Sequence, residues 1–435
     1  MRAFYRITLL AVGTAGRAFA GGFEIYEQGP QATGMAGAVA GKADDPSAIF
    51  YNPAGMAMTE GGGVQLGSTI AFTGFGHKTL DLTPTTTSTV EGTFVLPNLF
   101  ASAHLGNMWS VGIGAFTQFG AGVKWSPTGK QDGATEPPKF PGRFVAANTQ
   151  IQTFTFNPTF GVQPHKAVAI AVGLDVMMAS VELSRSLLLG DAEGTARLGG
   201  GTQGVGWNFG VLFELVPQRV TAGIAYRSAI GLDFNDLRVH FDGPPELKDY
   251  LYDQPAKTSL KMPHNLTFGL ATHPTDGLTI TTDVHYTLWS ALQTIPVTFL
   301  PGSKTPGFAA AMNWRDSLSA RVGAEYLALV GPGVLALRAG FGYDLTPVPA
   351  ETLSPSAPLA DSWIVSGGLG YGWRRWALNV GYIAGLRGER ASTNRDLPGL
   401  YSGALSALSA ALTYEWGGAR SCCARGCTGH RCCHK

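Results

Sequence analysis

The feature that most constrains the fold is a two-residue alternation of apolar and polar side chains that recurs along most of the chain. From Ser317 to Tyr326, leucine, alanine, valine and tyrosine alternate with serine, arginine, glycine and glutamate. This periodicity is that of a β-strand with two different faces. Because similar runs recur at 167–185, 277–289 and 333–344, we predict an all-β chain.

A soluble β-sandwich shows the same alternation, and the composition favours a membrane protein instead. Only 14% of the residues are charged, against roughly 25% in an average chain. Glycine, alanine, serine and threonine take the place of lysine and glutamate on the polar faces, and many apolar faces end in an aromatic residue, as an interfacial girdle would. We therefore predict a transmembrane antiparallel β-barrel.

The alternating runs predict about fourteen strands between residues 64 and 416. Short links such as 216–218 and 330–332 alternate with long ones such as 186–203 and 235–263. Short periplasmic turns and long outer loops are typical of bacterial outer-membrane barrels, where an even number of strands leaves both ends in the periplasm.

Both ends of the chain lie outside this repeating region. Residues 1–20 are predicted to be a secretory signal peptide, since basic residues precede a short apolar stretch and an Ala-x-Ala motif ends at Ala20. All five cysteines lie within residues 417–435, in spacings that match no recognised zinc site. We interpret this tail as a disordered, non-native extension, with a metal site as the less favoured alternative.

Residues 21–63, called the hatch below, do not alternate and are rich in glycine and alanine. We expect the hatch to fill the lumen, since a barrel of fourteen strands otherwise encloses an open bore. Asn52, Pro53 and Ala54 are predicted to form a fixed turn. Proline locks its own φ angle, and an asparagine side chain bonds nearby backbone groups.

Six ionisable side chains fall on strand faces that point into the predicted lumen, namely Arg227, Asp283, His285, Arg321, Glu325 and Arg338. The opposite faces of two strands carry Leu318, Val322, Leu335 and Leu337 and are predicted to contact lipid. An arginine on the lipid face would cost about 2–4 kcal/mol near mid-membrane. We favour pairing of the arginines with lumen or hatch carboxylates, and guidance of an anionic headgroup is the alternative.

Motifs for other chemistry are poorly supported. Residues 199–204 match G-x-G-x-x-G but lie in no βαβ unit. His285 lies beside Asp283 on one strand face, yet the chain has no G-x-S-x-G motif. We predict no enzyme activity, no cofactor and no metal site, and a net charge of +1 gives no argument for a nucleic-acid partner.

Short motifs follow one another in a specific order, and the main ones are Gly22–Gln28, Gly34–Ala38, Ala43–Met56, Phe140–Phe144, Ala225–Ser228, Asn313–Asp316 and Pro347–Pro349. In this order and spacing they resemble the FadL/TodX family of outer-membrane transporters over about residues 20–416. The resemblance implies a plugged fourteen-stranded barrel that takes up long-chain fatty acids or other hydrophobic compounds by passive diffusion.

The resemblance also implies a route for the ligand. An apolar site between outer loops leads to a pocket near the mature N-terminus, and the ligand leaves sideways beside a kinked third strand. The candidate ligand-binding residues are Phe23, Arg143, Leu187, Leu188, Tyr250 and Leu251. Arg143 is expected to attract a carboxylate.

Two rival functions stay open, an open diffusion porin for polar solutes and, less favoured, an outer-membrane lipase. The expected partners are a hydrophobic ligand, outer-membrane lipid and the barrel-assembly machinery, with the chain as a monomer in the outer membrane of a Gram-negative bacterium. The sequence does not distinguish a fatty acid from an aromatic or other hydrophobic substrate.

Overall fold

The computed structural model describes residues 21–90, 92–249, 251–300, 303 and 305–417. The predicted signal peptide and the Cys-rich tail beyond Gly417 lie outside the described residues, as does Tyr250. In the described part of the chain, no helix is long and apolar enough to cross a membrane.

Short helices and long strands make up the described chain. The α-helices are α1 (Pro30–Gly34), α2 (Ala48–Tyr51) and α3 (Gly55–Met58), and 3-10 turns occur at Pro141–Phe144, Pro245–Leu247 and Trp289–Ala291. The strands are β1 (Gly62–Lys78), β2 (Thr86–Ser88), β3 (Gly92–Leu105), β4 (Trp109–Phe116), β5 (Gly120–Lys124), β6 (Asn148–His165), β7 (Val168–Leu189), β8 (Ala192–Val216), β9 (Val220–Arg227), β10 (Ile230–Asp242), β11 (Gln254–Met262), β12 (Asn265–Thr275), β13 (Leu278–Thr287), β14 (Thr294–Phe299), β15 (Phe308–Ala311), β16 (Ser317–Val330), β17 (Gly333–Asp344), β18 (Ser362–Trp373), β19 (Trp376–Leu386), β20 (Arg390–Ser392) and β21 (Gly399–Trp416).

Fourteen of these strands close into an antiparallel barrel, in the order β1, β3, β4, β6, β7, β8, β9, β12, β13, β16, β17, β18, β19 and β21. β21 returns to β1 in an unbroken ladder from the Gly62–Trp416 pair to the Lys78–Leu400 pair. Closure of β21 onto β1 removes the two outer edges that an open sheet would expose, as a membrane-spanning sheet requires. The predicted all-β barrel of about fourteen strands is confirmed.

The alternation of the sequence becomes the two faces of the wall. In β7, Val172 and Leu174 are exposed on the outside, whereas Ala171 and Asp175 are buried inside. In β16 the exposed Val322 follows the buried Arg321. An outer apolar face is stable only against lipid, and the inner face is covered by the hatch.

The prediction that residues 186–203 and 235–263 form long open loops is wrong. β7 and β8 continue to a hairpin turn, where Gly190 has φ +68°. β10 and β11 pair with each other across the second region. The glycine-rich run 199–204, most of which falls in the first of these predicted links, is part of β8 and pairs with β7. A glycine-rich segment can form a strand because the hydrogen bonds of a ladder come from backbone groups and need no side chains.

One part of the wall is interrupted. β4 ends at Phe116 and β5 begins at Gly120, and three residues between them leave the ladder. β4 pairs with β3 only from Leu99 onward, while Gly92–Asn98 of β3 pair with β1 alone. β5 pairs with β6, so among the described residues no ladder joins β5 to β3. We call this opening the β3–β5 gap.

Candidate ligand-binding site

A cavity of about 640 Å³ lies beside the β3–β5 gap. This volume is in the usual range for a small-molecule site. Its walls come from β1, β3, β5, β6, β7 and the first residues of the hatch, and they include Phe23, Phe75, Phe94, Val95, Leu96, Val123, Ile151, Phe154 and Met178. The lining is therefore largely apolar.

Phe23 lines this cavity and packs against an aromatic cluster. Its ring centroid lies 4.6 Å from that of Trp289, 5.5 Å from that of Trp314 and 6.0 Å from that of Phe119. Trp289 and Trp314 are fully buried. The preceding residue, Gly22, has φ +75°, and a Cβ there would overlap the Trp289 ring. A glycine is therefore required for Phe23 to reach the cluster.

The start of the hatch bonds to the interrupted strand. The Ile25 N–H donates to the Gln118 carbonyl at 2.8 Å, and the Gly120 N–H donates to the Phe23 carbonyl at 2.9 Å. The hydroxyl of Thr153 on β6 donates to the Phe119 carbonyl at 2.7 Å. Residues 23–25 of the hatch are therefore hydrogen-bonded to the segment at the break between β4 and β5, next to the gap. In a continuous strand, these backbone groups would bond to the neighbouring wall strands instead.

The ring of Phe94 covers the gap from β3. A Cβ at Gly122 of β5 would overlap this ring, so the aromatic side chain lies directly on the β5 backbone. Side-chain packing, and not a hydrogen-bonded ladder, closes the wall here. A side chain can rotate aside at a much lower cost than breaking a ladder.

Two hatch carboxylates, Glu24 and Glu27, also line the cavity. Glu24 accepts hydrogen bonds from the side chains of Asn265 and Thr287. Burial raises the pKa of Glu24 and that of Glu27 to about 7, because desolvation disfavours the charged form.

Three buried ion pairs join strands of the wall inside the lumen. Arg227 pairs with Asp175, Arg321 pairs with Asp344 at 2.9 Å, and Arg338 pairs with Glu325 at 2.7 Å. Two of these guanidinium groups also bond to the hatch. Arg227 donates to the Phe50 carbonyl at 3.2 Å, and Arg321 donates to the Ala36 carbonyl at 2.9 Å. Lys42 of the hatch completes the third pair, with its Nζ 3.2 Å from Glu325.

The remaining lumen residues named from the sequence also lie against the hatch or the wall. The Asp283 carboxylate accepts a hydrogen bond from the Ala40 N–H at 2.8 Å. His285 Nδ1 lies 3.0 Å from the Thr267 hydroxyl, and its ring is tilted by 54° to that of Tyr26, with the centroids 4.8 Å apart. Neither side chain lines the cavity.

The Asn52–Pro53–Ala54 segment forms a tight turn against the wall. Asn52 is fully buried, and its amide donates to the Ala40 carbonyl at 3.0 Å and to the Val211 carbonyl at 3.1 Å. The Ala54 N–H donates back to the Asn52 side chain at 3.2 Å. Glycine at 210 and 223 of the wall permits this approach, because a Cβ at either position would overlap the hatch.

The other predicted ligand-binding residues lie away from this cavity. Arg143 donates to Glu193 at 2.8 Å and to the Phe140 carbonyl at 2.8 Å. Leu187 and Leu188 are on the β7–β8 hairpin, with Leu188 exposed. Leu251 follows β10, and the prediction for Tyr250 falls outside the described residues. Of the described members of this set, only Phe23 lines the cavity.

Sequence reasoning missed Phe94, Gly122 and the two hatch glutamates. The break in alternation at Thr117–Phe119 was the available signal for the gap, but it looks the same in sequence as the end of a strand. Which wall residue faces the break depends on register, and register is set between distant strands.

A family comparison identifies the chain. Residues 11–406 match the model of a family described as outer membrane protein transport protein (OMPP1/FadL/TodX). The chain belongs to this family. The resemblance seen in the sequence motifs is thereby confirmed, and so is the outer membrane of a Gram-negative cell as its location.

Relatives of this FadL/TodX-family chain match along most of their length. The chain is 22% identical over 415 residues to the long-chain fatty acid transport protein of Salmonella typhi, covering 87% of this chain and 90% of that protein. It is 23% identical over 381 residues to outer membrane protein P1 of Haemophilus influenzae, with 76% and 78% covered.

Solved structures show the same fold. A FadL homologue from Pseudomonas aeruginosa superposes with a TM-score of 0.78 at 18% identity, covering 91% of this chain and 100% of that one. The toluene transporter TbuX of Ralstonia pickettii gives a TM-score of 0.68 at 18% identity, with 89% and 98% covered. At these identities the likeness concerns the fold.

Proposed function

We propose that this FadL/TodX-family protein carries hydrophobic compounds across the outer membrane by passive diffusion. The compound enters the cavity beside Phe23 and leaves sideways through the β3–β5 gap into lipid. The observation that supports this route best is the position of a largely apolar cavity at a stretch of wall where side-chain packing replaces the backbone ladder.

The physical chemistry favours a lateral exit. Transfer of apolar surface into water costs roughly 25 cal/mol per Å², so a hydrophobic molecule gains nothing by emerging into the periplasm. The hydrocarbon layer outside Val95 offers a better solvent. The similar proteins support this substrate range. One relative is a long-chain fatty acid transport protein, and one protein of similar structure is a toluene transporter.

The proposal includes a movement of the first hatch residues. A ligand that packs against Phe23 can displace the two backbone bonds that residues 23–25 make with the interrupted strand. Rotation of the Phe94 ring then opens the gap. In this scheme the chain is a monomeric transporter without catalytic chemistry, with residues 21–63 as its plug and the rest of the wall unchanged.

An uptake assay on a blocked gap tests the route. Gly122→Trp places a large side chain between β5 and β3, where the Phe94 ring already lies. Val111→Trp is the matched control, because Val111 is exposed on the lipid face of β4. Both variants are assembled in the outer membrane, and heat-modifiable electrophoretic mobility measures the folded fraction.

We expect Gly122→Trp to lower the uptake of a hydrophobic probe per folded barrel by roughly tenfold, the size of a 1.4 kcal/mol barrier, and Val111→Trp to leave it unchanged. Equal uptake by both variants would exclude the lateral route. The open-porin alternative predicts steady ionic conductance from reconstituted protein, whereas the proposal predicts little current while the hatch is in place.

A further inference from the structure

The ionisable side chains that line the cavity are acids only. Among the described lining residues, Glu24 and Glu27 carry carboxyl groups and none is a lysine, arginine or histidine. The sign of these charges affects which ligands can bind, because electrostatic interactions are screened less in an apolar cavity than in water.

Glu27 is the clearer of the two acids. Its side chain is 7% exposed and lines the cavity, and it makes no ion pair with any described residue. Glu24 lines the cavity beside Phe23 and accepts hydrogen bonds from the neutral side chains of Asn265 and Thr287. Neither carboxylate is therefore neutralised by a direct cationic partner.

Four arginines form their direct ion pairs with other carboxylates, although Arg227 and Arg321 still act on the two cavity acids at longer range. Arg143 is bound to Glu193 near the β7–β8 hairpin, and the three lumen arginines have their own wall carboxylates. Arg387 is behind the cavity wall, where it donates to the Pro358 carbonyl at 3.1 Å and lies 5.8 Å from the Phe75 ring. Arg387 is therefore tested below as a possible partner for the carboxylate of a bound ligand.

We propose that this cavity selects uncharged apolar molecules and rejects carboxylates, with Glu24 and Glu27 as the specificity-determining residues. A carboxylate entering beside Phe23 would lose its hydration and, above about pH 7 where both acids are ionised, would meet like charge; both effects disfavour it. A hydrocarbon or long-chain alcohol meets only the apolar lining. The inference rests on the proposed function and narrows its substrate class.

Equilibrium binding of a matched pair of probes to the purified full-length protein tests the selectivity. The probes are 1-dodecanol and dodecanoate, which have the same chain length and differ in the headgroup. Measurements are made at pH 8, above the raised pKa of both acids. The variants are Glu27→Gln, Glu24→Gln together with Glu27→Gln, and Arg387→Gln. Glu214→Gln, at the far end of β8 and outside the cavity, controls for net charge.

We expect the alcohol to bind at least about tenfold more tightly than the carboxylate in the unmodified protein. The double glutamine variant should bring the two affinities together by strengthening carboxylate binding, whereas Glu214→Gln and Arg387→Gln should leave the ratio unchanged. Equal affinities in the unmodified protein would overturn the inference, and so would a loss of carboxylate binding in Arg387→Gln.

The outcome also separates this inference from the transport proposal. If neither probe binds near Phe23, the cavity is not a ligand site and the proposed function fails with it. If both bind equally and Gly122→Trp still blocks uptake, transport stands and only the selectivity is wrong.

Discussion

The two sides of the hatch are held by different forces. Toward β8, β9, β12, β13 and β16–β18, buried arginines, an asparagine turn and backbone carbonyls fix the hatch with directional bonds. Toward β3 and β5, residues 23–25 are held by two backbone bonds and aromatic packing, and Glu24 adds side-chain bonds to Asn265 and Thr287. We call these the pinned side and the cavity side.

The difference shows how one plug can be both tight and mobile. A buried ion pair that is separated leaves an uncompensated charge, so the pinned side resists displacement. Apolar packing has no preferred direction, and an incoming apolar ligand replaces the contacts that it breaks. The structure therefore confines movement to the side where the cavity and the gap lie.

Removing one partner of a pinned-side ion pair should have the largest effect on that contrast. Arg321→Met leaves the Asp344 carboxylate buried without its partner and the Ala36 carbonyl without its donor. We expect a cost of about 3–5 kcal/mol, seen as faster amide hydrogen exchange in residues 33–40. The paired replacement of Arg321 by Met and Asp344 by Leu should restore most of the protection, and equal exchange in both variants would contradict a pairing role.

The same small substitution on the two sides provides a second comparison. In Gly223→Ala the new methyl overlaps the Ala40 carbonyl oxygen, which is fixed backbone of the hatch. In Gly122→Ala it meets the Phe94 ring, which can rotate. We expect a loss of about 1–3 kcal/mol at Gly223 and less than about 1 kcal/mol at Gly122, measured by urea unfolding in one detergent. Equal losses would mean that the gap is as rigid as the pinned side.

The hatch turn tests whether the pinned side serves uptake as well as stability. Asn52→Ala removes the two buried hydrogen bonds to the Ala40 and Val211 carbonyls, at a cost of about 1–3 kcal/mol. Replacing Asn52 and Pro53 together by Ala should leave folded barrel but reduce uptake of a hydrophobic probe. Thr59→Ala, which loses only a local bond to Gly55, is the control. Unchanged uptake per folded barrel would make the turn a passive linker.

The smallest expected effect is a pH dependence confined to the cavity side. Burial raises the pKa of Glu24 and Glu27 from the ordinary 4.5 to about 7, so the folded state holds protons that the unfolded chain releases. Their contribution to stability is complete below pH 4.5 and is lost as the pH rises through about 7. The ionisable groups that face them are Tyr26, Arg227, Arg321 and Asp344.

Hydrogen exchange of residues 22–28 measures this dependence. We expect stronger protection at pH 5 than at pH 8 after correction for intrinsic exchange, and no such difference when both glutamates are replaced by Gln. Residues 48–56 on the pinned side should show little change. A pH dependence of equal size in both segments would mean that the whole hatch, and not its first residues, responds.

Much of the wall was predictable because its side-chain period is a local property. Alternation in runs such as 277–289 and 333–344 indicated both the strands and their two faces, and the resulting all-β barrel is confirmed. The β7–β8 hairpin was missed at 186–203, since glycine-rich strands have few side chains with which to show a period.

The barrel and the family could be inferred from the sequence, because strand periodicity, composition and ordered motifs are local properties of the chain. The contacts of the site could not: Phe94 lies on Gly122, Arg143 is bound to Glu193, and Glu24 and Glu27 line the cavity. These contacts join residues far apart in the chain, and they depend on strand register and on the path of the hatch through the lumen, which no local pattern specifies.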